Sequence, residues 1–364
     1  MRGEEFSAAD HLYMAQALRL AEHGLFTTTP NPRVGCVLVK DGLVVGEGWH
    51  EKAGEPHAEP LALRQAGAAA RGATAYVTLE PCNHHGRTPP CADVLIAAGV
   101  ARVVAAMNDP NPLVAGQGLE KLRAAGIEVA SGLLENDARE LNIGFVSRMT
   151  RGRPWLRLKA AASLDGKTAL NNGLSQWITG PEARQDGHRW RARACAILTG
   201  VGTVRDDDPQ LNVRGVETSR QPLKVLVDSR LEVSPSARLF DGAPVLVACA
   251  VADAAKAAAL QARGAEVLAL PNAQGKVDLA ALLQLLGQRG INEVHAEAGF
   301  KLNGSLLAEG LVDELLLYVA PCLIGERAQG LFNLPELAAL SDRRQLQWRD
   351  VRQIGADLRL IVRL

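Results

Sequence analysis

Apolar residues recur along the first 145 residues at spacings that alternate between those typical of helices and those typical of strands. Ser7 and Asp10 form a potential capping box ahead of a helical pattern that ends at TTTPNP. The β-branched runs VGCVLV (34–39) and LVVGEG (43–48) predict a hairpin. Helix and strand patterns then alternate through HAEPLALRQAGAAA, TAYVTL, CADVLIAAG, RVVAAM and GLEKLRAAG. This alternation predicts a layered α/β sandwich.

A second α/β pattern follows the segment SRMTRGRPW (147–155), which shows no apolar period and is rich in charged and turn-forming residues. We therefore predict two domains, residues 1–147 and 153–364. The second begins with the strand WLRLKAAASL and the helix PEARQDGHRWRARA. It continues through AILTG, KVLVDS, PVLVACA, AEVLAL, the helix DLAALLQLLGQRG, and EVHAE. The run VDELLLYVAP fits either a core strand or an apolar interface strand.

The amino-acid composition of the chain argues against some classes of binding partner. Forty Lys plus Arg balance forty Asp plus Glu, so no basic excess favours a nucleic acid or an anionic membrane. The chain contains no apolar run long enough to span a bilayer, and its acidic start does not resemble a signal peptide. We expect a cytoplasmic protein with a small-molecule substrate. Its cysteines are too scattered for a disulfide scaffold: Cys36, Cys82, Cys91, Cys195, Cys249 and Cys322.

Three potential metal ligands lie at predicted element ends in the first domain. His57 opens one helix, Cys82 closes a strand and Cys91 opens another helix. One imidazole and two thiolates can fill three of the four tetrahedral positions around one Zn²⁺ and leave the fourth for water. Glu59, two residues from His57, could reach that water without binding the metal. The pattern predicts a catalytic zinc site.

The H-x-E, P-C and Cys pattern is similar to that of cytidine-deaminase-like zinc hydrolases, in which a glutamate transfers a proton from water to departing ammonia. Eight residues, NHHGRTPP, separate Cys82 from Cys91, where that class usually has two. His84 and His85 in this loop are rival ligands, and either would turn the site into a closed, structural one. Two adjacent loop histidines are more consistent with a position facing substrate or solvent.

A longer set of motifs resembles one family. The strings TTTPNPRVGCVLV, GEGWHEKAGEPHAE, YVTLEPCNHHGRTPPC and AMNDPNP, followed by KAAASLDGKTA, SQWITG, ILTGVGTVRDDDPQLNVR and EAGFKLNGSLL, are similar to the bifunctional deaminase/reductase family of riboflavin biosynthesis. The long loop between the cysteines is usual in that family. The resemblance covers nearly the whole chain. It implies a cytidine-deaminase-like α/β/α sandwich, a dihydrofolate-reductase-like α/β domain, NADPH as second cofactor and a homodimer or larger homo-oligomer.

By this resemblance the first domain deaminates a diaminopyrimidine ribotide. Asn31, His50 and Asn108 would line the pyrimidine pocket, and Arg87 would bind the substrate phosphate. The amide of an asparagine offers both a donor and an acceptor to the edge of a pyrimidine ring, and the guanidinium of an arginine can form two hydrogen bonds with a phosphate. As an alternative, Asn31 and Asn108 serve only as turn residues.

The second domain would reduce the ribosyl side chain with hydride from NADPH, although it has no G-x-G-x-x-G motif. The resemblance places Glu297 at the ribotide. From the positions of Lys159 in a strand and Glu297 at a strand end within these motifs, we hypothesise that this pair contacts the sugar hydroxyl groups and assists ring opening. Asp165 in SLDGK can instead cap a turn. The remaining substrate positions are Ser175, Arg191, Leu211 and Arg214. The cofactor positions are Ala161, Trp177, Thr203, Asp207, Gly299, Phe300, Lys301, Leu302, Asn303, Gly304 and Ser305.

Arg191 and Arg214 are natural partners for the 5-phosphate. Between Arg189 and Arg193, however, Arg191 could also belong to a solvated basic face.

Two other functions compete with this interpretation. A zinc-stabilised nucleic-acid-binding module would use the loop residues His84, His85 and Arg87, but zero net charge and only 4% aromatic residues argue against it. The other is a single-activity deaminase with a degenerate reductase half. Since both halves keep their motif residues, the sequence favours two activities.

Overall fold

The computed structural model describes residues 6–83, 89–112, 114–251 and 253–364. The chain forms two compact units, the first ending at Gly152 and the second beginning at Arg153. No helix in the described ranges is long and apolar enough to cross a membrane.

The first unit is a sheet with helices on both faces. Its strands are β1 (Gly35–Lys40), β2 (Leu43–Trp49), β3 (Thr74–Val77), β4 (Arg102–Ala105) and β5 (Glu128–Ser131), in the order β2-β1-β3-β4-β5. Its helices are α1 (Ala8–Glu22), α2 (Ala58–Ala66), α3 (Cys91–Ala98), α4 (Gln117–Ala124), α5 (Glu135–Leu141) and α6 (Ile143–Arg151). The predicted hairpin is confirmed: β1 and β2 are antiparallel, and Asp41 and Gly42 between them both have positive φ. The capping box of Ser7 and Asp10 is also present.

Two glycines show why α1 and α2 lie on opposite faces. A Cβ on Gly35 of β1 would lie 2.0 Å from the carbonyl oxygen of Ala17 in α1, and one on Gly48 of β2 would lie 2.4 Å from that of Ala58 in α2. Gly48 pairs with Cys36, the neighbour of Gly35, and neighbouring strand residues point to opposite faces. The helices therefore pack against opposite sides, which confirms the α/β/α sandwich.

The second unit is built on a mostly parallel sheet in the order β11-β10-β9-β8-β12-β6-β13-β16-β15. The strands are β6 (Trp155–Ser163), β7 (Lys167–Ala169), β8 (Ala196–Gly200), β9 (Leu223–Val227), β10 (Val245–Cys249), β11 (Ala265–Ala269), β12 (Glu293–Ala296), β13 (Glu314–Ala320), β14 (Gln329–Gly330), β15 (Gln347–Ile354) and β16 (Asp357–Arg363). The helices are α7 (Pro181–Arg193), α8 (Val201–Asp207), α9 (Ala254–Gln261), α10 (Leu279–Gln288) and α11 (Phe300–Ala308). β15 and β16 are antiparallel to their neighbours, whereas the strands from β11 to β13 are parallel.

The structure changes one sequence interpretation and decides another that the sequence left open. Helix α6 continues to Arg151, through most of the segment treated as a connection, because Phe145 and Met149 are one helical turn apart and pack against the core. The run VDELLLYVAP is a core strand, since β13 pairs with β6 on one side and β16 on the other.

Charged residues line one face of the second sheet. Alternate residues of β6 place Leu156 and Leu158 in the apolar core and Arg157 on the other face. The buried Arg157 guanidinium pairs with Glu293 of β12 at 3.1 Å and with Glu314 of β13 at 2.5 Å. His295, two residues after Glu293 in β12, lies 3.5 Å from Glu297, so this polar layer continues towards a residue that the sequence assigns to substrate.

Candidate active sites

His57, Cys82 and Cys91 form a compact cluster in the first unit. His57 is the N-cap residue of α2, and Cys91 is the first residue of α3. The prediction that Cys82 closes a strand is wrong, because β3 ends at Val77 and Cys82 lies in the loop that follows. Their potential ligand atoms all lie within 4.8 Å of one another. Nδ1 of His57 is 3.2 Å from Sγ of Cys91 and 3.7 Å from Sγ of Cys82.

These distances fit Zn²⁺. A tetrahedral site with ordinary zinc bond lengths separates a nitrogen ligand from a sulfur ligand by about 3.6 Å. One nitrogen and two sulfur donors also match the set of catalytic zinc sites that keep one position for water. The side chains are therefore already arranged to bind the metal.

Local hydrogen bonds favour a thiolate at Cys82. Hydrogen bonding from the Cys91 thiol, opposed by burial and aided by His57, lowers the pKa of Cys82 to about 4. The backbone N–H of Cys91 also donates to the Cys82 sulfur at 3.3 Å. The thiolate is the form of cysteine that binds metal.

Glu59 lies in the first turn of α2, next to this cluster, and is only 3% exposed. Its Oε2 has no hydrogen-bond partner among the described residues. Burial raises the pKa of this carboxyl group above its usual value of 4.5. A buried carboxylate oxygen without a partner is costly, so the position of Oε2 suits a group that exchanges a proton with a bound molecule.

The structure also brings Asn31 and His50 to this cluster. Nδ2 of Asn31 lies 3.1 Å from Nε2 of His50, and Nδ1 of His50 lies 3.0 Å from the carbonyl oxygen of Pro56. The ring of His50 packs edge-on against that of His57, with 5.3 Å between centroids. Since the carbonyl requires a proton on Nδ1, Nε2 accepts from Asn31. Asn31 therefore lies next to the cluster through its hydrogen bond with His50.

Asn108 follows β4 and is exposed, and its Oδ1 accepts a hydrogen bond from Ser131 at 3.0 Å. Arg87, His84 and His85 lie outside the described residues.

Asn142, between α5 and α6, was not predicted from the sequence. Its Oδ1 accepts from the backbone N–H of Arg33 at 2.8 Å, and its Nδ2 donates to the carbonyl oxygen of Arg33 at 2.9 Å. The two residues are 109 positions apart, and Asn142 is 1% exposed. This amide pairing fixes the loop that carries Asn31.

We expect Asn142→Ala to lower the free energy of unfolding of the first unit by about 2 kcal/mol, because it leaves a buried N–H and a buried C=O unpaired. Chemical denaturation followed by circular dichroism measures the change. The exposed Asn136 on α5 offers a matched control. Equal stability of Asn142→Ala and Asn136→Ala would contradict the role given to Asn142.

In the second unit, Lys159, Arg191 and Glu297 form one ionic cluster. Arg191 binds Glu297 with two hydrogen bonds, Nε to Oε1 at 2.5 Å and a second nitrogen to Oε2 at 2.9 Å. Nζ of Lys159 lies 3.9 Å from Oε2 of Glu297. The Arg191 side chain is only 16% exposed, so it does not belong to a solvated basic face.

Burial and the charge of Arg191 set the electrostatics of this cluster. Burial lowers the pKa of Lys159, and the charge of Glu297 only partly opposes that shift. For Glu297, burial would raise the pKa, but the charge and hydrogen bonds of Arg191 hold it well below its usual value. The cluster therefore holds a carboxylate beside an amine that can lose its proton more easily than a free lysine.

Asn212 links Arg191 to Arg214. Arg191 donates to the carbonyl oxygen of Asn212 at 3.1 Å, and Arg214 donates to its Oδ1 at 2.5 Å. The preceding Leu211 is 3% exposed and has a positive φ of 47°, which turns the chain here. Two guanidinium groups thus converge on one short segment, as a phosphate site requires.

Ser175 and Asp207 form a pair, with Ser175 Oγ donating to Asp207 Oδ1 at 3.1 Å. Trp177 is 70% exposed, and the guanidinium of Arg184 lies 4.8 Å from its ring. Asp165 caps the loop after β13: it accepts from the backbone N–H groups of Ile324 and Gly325.

Two of the residues assigned to the cofactor, Thr203 and Gly299, lie next to each other where α11 begins. Gly299 is the N-cap residue of α11, and a Cβ on it would lie 3.5 Å from Oγ1 of Thr203 in α8. A Cβ on Gly200, which caps α8, would lie 3.1 Å from Leu302. The N-termini of α8 and α11 therefore lie close together. Backbone N–H groups at a helix N-terminus can bind phosphate, as the phosphates of NADPH would require. Ala161 lies on β6, half-buried.

The stretch from Gly299 to Ser305 is not one continuous surface. Asn303 and Gly304 are buried, and Gly304 faces the carbonyl oxygen of Asn333. Helical periodicity turns these two positions inwards, while Gly299 and Lys301 stay exposed. The N–H groups of Phe300, Lys301 and Leu302, in the first turn, have no acceptor within the helix. Any cofactor contact is therefore concentrated at the start of this stretch.

Family models match both units. The cytidine and deoxycytidylate deaminase zinc-binding region matches residues 7–107, and the RibD C-terminal domain matches residues 154–360.

Individual relatives match over nearly the full length. Riboflavin biosynthesis protein RibD of Escherichia coli is 50% identical over 361 residues, covering 96% of this chain and 98% of that protein. The Haemophilus influenzae protein of the same name is 49% identical and covers 98% of both.

Among solved structures, RibD of Acinetobacter baumannii (form 1) superposes with a TM-score of 0.91 at 46% identity. A diaminohydroxyphosphoribosylaminopyrimidine deaminase/5-amino-6-(5-phosphoribosylamino)uracil reductase from Thermotoga maritima superposes with a TM-score of 0.86 at 34% identity. Each comparison covers 98% of both chains.

Proposed function

Because the chain belongs to the RibD family of bifunctional riboflavin-biosynthesis enzymes, which use Zn²⁺ and NADPH, we propose specific roles for its residues in two consecutive reactions. The first is hydrolytic deamination of 2,5-diamino-6-(5-phosphoribosylamino)pyrimidin-4(3H)-one. The second is reduction of the ribosyl side chain of the product to the ribityl form.

In the deamination, His57, Cys82 and Cys91 hold Zn²⁺, which when bound supplies a Lewis acid that makes water a nucleophile at neutral pH. Glu59 takes the proton of that water at Oε2 and delivers it to the departing ammonia. Its burial supports this role, because a raised pKa lets the carboxyl group hold the proton between the two transfers. Asn31, positioned by His50, would bind the ring edge. As the resemblance implies, Asn108 would bind the pyrimidine and Arg87 would bind the substrate phosphate.

In the reduction, NADPH when bound supplies the hydride that adds at C1 of the sugar. Lys159 Nζ would donate a proton to the ring oxygen as the ribosylamine opens to an imine. Glu297, fixed by Arg191, would hold the sugar hydroxyl groups. Arg214, with Arg191, would bind the 5-phosphate, and Ser175 and Leu211 would complete the substrate site. The cofactor would meet Ala161, Trp177, Thr203, Asp207 and the first turn of α11.

The Lys159–Arg191–Glu297 cluster is the observation that favours two working sites over a chain with a degenerate reductase half. A half without selection for activity has no need to keep a partly buried lysine beside a partly buried carboxylate. Separate assays test the two halves: release of ammonia from the diaminopyrimidine ribotide, and oxidation of NADPH with the deaminated product. Absence of the second activity in a protein that retains the first would favour the single-activity alternative.

We also propose that the protein forms a homodimer through the C-terminal hairpin. β15 is an edge strand, and its Trp348 and Val351 pair with Val362 and Leu360 of β16, so these side chains share one face. Trp348 is 67% and Val351 58% exposed. A second copy would cover this apolar face, which a monomer would leave in water.

Val351→Lys is expected to convert the dimer to a monomer, because a buried lysine at the interface would lack a partner. Size-exclusion chromatography with light scattering reports the mass, about 39 kDa for the monomer. Arg352→Glu, on the opposite face of β15, should leave the dimer intact. A wild-type protein that elutes as a monomer would overturn this assembly.

The cytoplasm is the compartment we propose, since Cys82 and Cys91 must stay reduced to bind zinc.

A further inference from the structure

Glu80 lies two residues before Cys82, and its carboxylate ties two loops of the deaminase unit together. It is 5% exposed. Its oxygens accept hydrogen bonds from the backbone N–H groups of Asp109 (3.0 Å), Gly116 (2.9 Å), Gly118 (2.9 Å) and Leu119 (3.4 Å). The backbone N–H of Glu80 in turn donates to the carbonyl oxygen of Met107 at 2.9 Å. One residue thus holds the segment 107–119 at both of its ends.

The chemistry of these contacts requires a carboxylate. Every partner is an N–H donor, and a carboxylate is an acceptor at both oxygens. A glutamine of the same shape would turn one oxygen into an NH₂ group, which would face two N–H donors. Hydrogen bonds to an ionised acceptor are also stronger than neutral ones.

Steric contact connects the same segment to the zinc loop. A Cβ on Gly118, at the start of α4, would lie 1.9 Å from the carbonyl oxygen of Pro81. Only glycine allows the helix to approach the Pro81–Cys82 peptide so closely. The segment 107–119 and the loop that carries Cys82 are therefore placed relative to each other by direct contact as well as by Glu80.

We propose that Glu80 is a positioning residue of the deaminase, which sets the place of Asn108 relative to the zinc ligand Cys82. Asn108 lies inside the held segment, between Met107 and Asp109, both of which bind Glu80. The Glu80 carboxylate binds backbone N–H groups and not the substrate. Its effect on pyrimidine binding is therefore exerted through Asn108. The inference rests on the proposed function, in which Asn108 lines the pyrimidine pocket.

Glu80→Gln tests this in the full-length, zinc-replete enzyme. We expect the KM for the diaminopyrimidine ribotide in ammonia release to rise about tenfold, with a smaller change in kcat, because substrate placement suffers while Glu59 and the metal stay. Zinc content and NADPH oxidation with the deaminated product should not change. Glu120→Gln is the matched control, because Glu120 is an exposed glutamate on α4, the helix whose first residues bind Glu80.

A double-mutant cycle separates positioning from a general structural effect. If Glu80 acts through Asn108, Glu80→Gln should raise KM much less in an Asn108→Ala background than in the wild type. Additive effects, an unchanged KM, or loss of zinc or of NADPH oxidation in Glu80→Gln would each overturn the proposal. A wild-type enzyme that releases no ammonia would instead refute the proposed deaminase function, so the two failures are distinguishable.

Discussion

Glu59→Gln is expected to retain bound zinc and to lose ammonia release by about 10³-fold, the size of a general acid–base contribution. The carboxyl group is buried, and its Oε2 has no partner among the described residues. The amide has the same shape but cannot carry the proton from water to ammonia. His57, Cys82 and Cys91 are unchanged, so the metal should remain.

Zinc content by atomic emission and ammonia release together measure this result. Glu22→Gln, at the exposed end of α1, is the control for the chemical change alone. NADPH oxidation with the deaminated product gives an internal reference in the same sample. Ammonia release near the wild-type rate would refute the role of Glu59, and loss of zinc would show that the carboxylate supports the metal site.

Lys159→Ala should reduce NADPH oxidation with the deaminated product by at least about 10²-fold, because it removes the proposed proton donor of ring opening. Nζ of Lys159 lies 3.9 Å from Glu297, and burial lowers the pKa of Lys159. An amine with a lowered pKa gives up a proton more readily near neutral pH. Alanine also leaves Glu297 paired with Arg191, so the rest of the cluster should persist.

Stopped-flow or steady-state NADPH absorbance measures the loss. Lys276→Ala removes an exposed lysine of the same unit and should have no effect. Ammonia release from the undeaminated ribotide should also continue at the wild-type rate. Unchanged turnover of the deaminated product by Lys159→Ala would exclude Lys159 from the chemistry.

The zinc cluster could be predicted from sequence because two of its three potential ligands stand at the starts of helices. His57 and Cys91 begin helices, and Glu59 follows His57 by two residues. Local sequence patterns are therefore enough to identify these metal ligands and the acid beside them. The alternation of helices and strands likewise predicts the sandwich, since each pattern is set by residues close in the chain.

Other parts depend on partners distant in sequence. Asn142 and Glu80 bind backbone groups of segments distant in sequence. Almost every residue has a backbone N–H, so the sequence does not show which of them these side chains bind. The charged layer around Arg157 was missed because its partners, Glu293 and Glu314, come from strands more than a hundred residues away. The stretch after Gly299 was assigned as a whole by resemblance, whereas burial of Asn303 and Gly304 depends on the segment packed against α11.

The central claim is that both sites of one chain act in sequence on the same ribotide. The most direct test supplies zinc-replete protein and NADPH with the undeaminated diaminopyrimidine ribotide and follows NADPH absorbance. We predict oxidation in the wild type, no oxidation in Glu59→Gln, and its recovery in Glu59→Gln when the deaminated product is added. No oxidation in the wild type, or full oxidation in Glu59→Gln with the undeaminated substrate, would contradict the account.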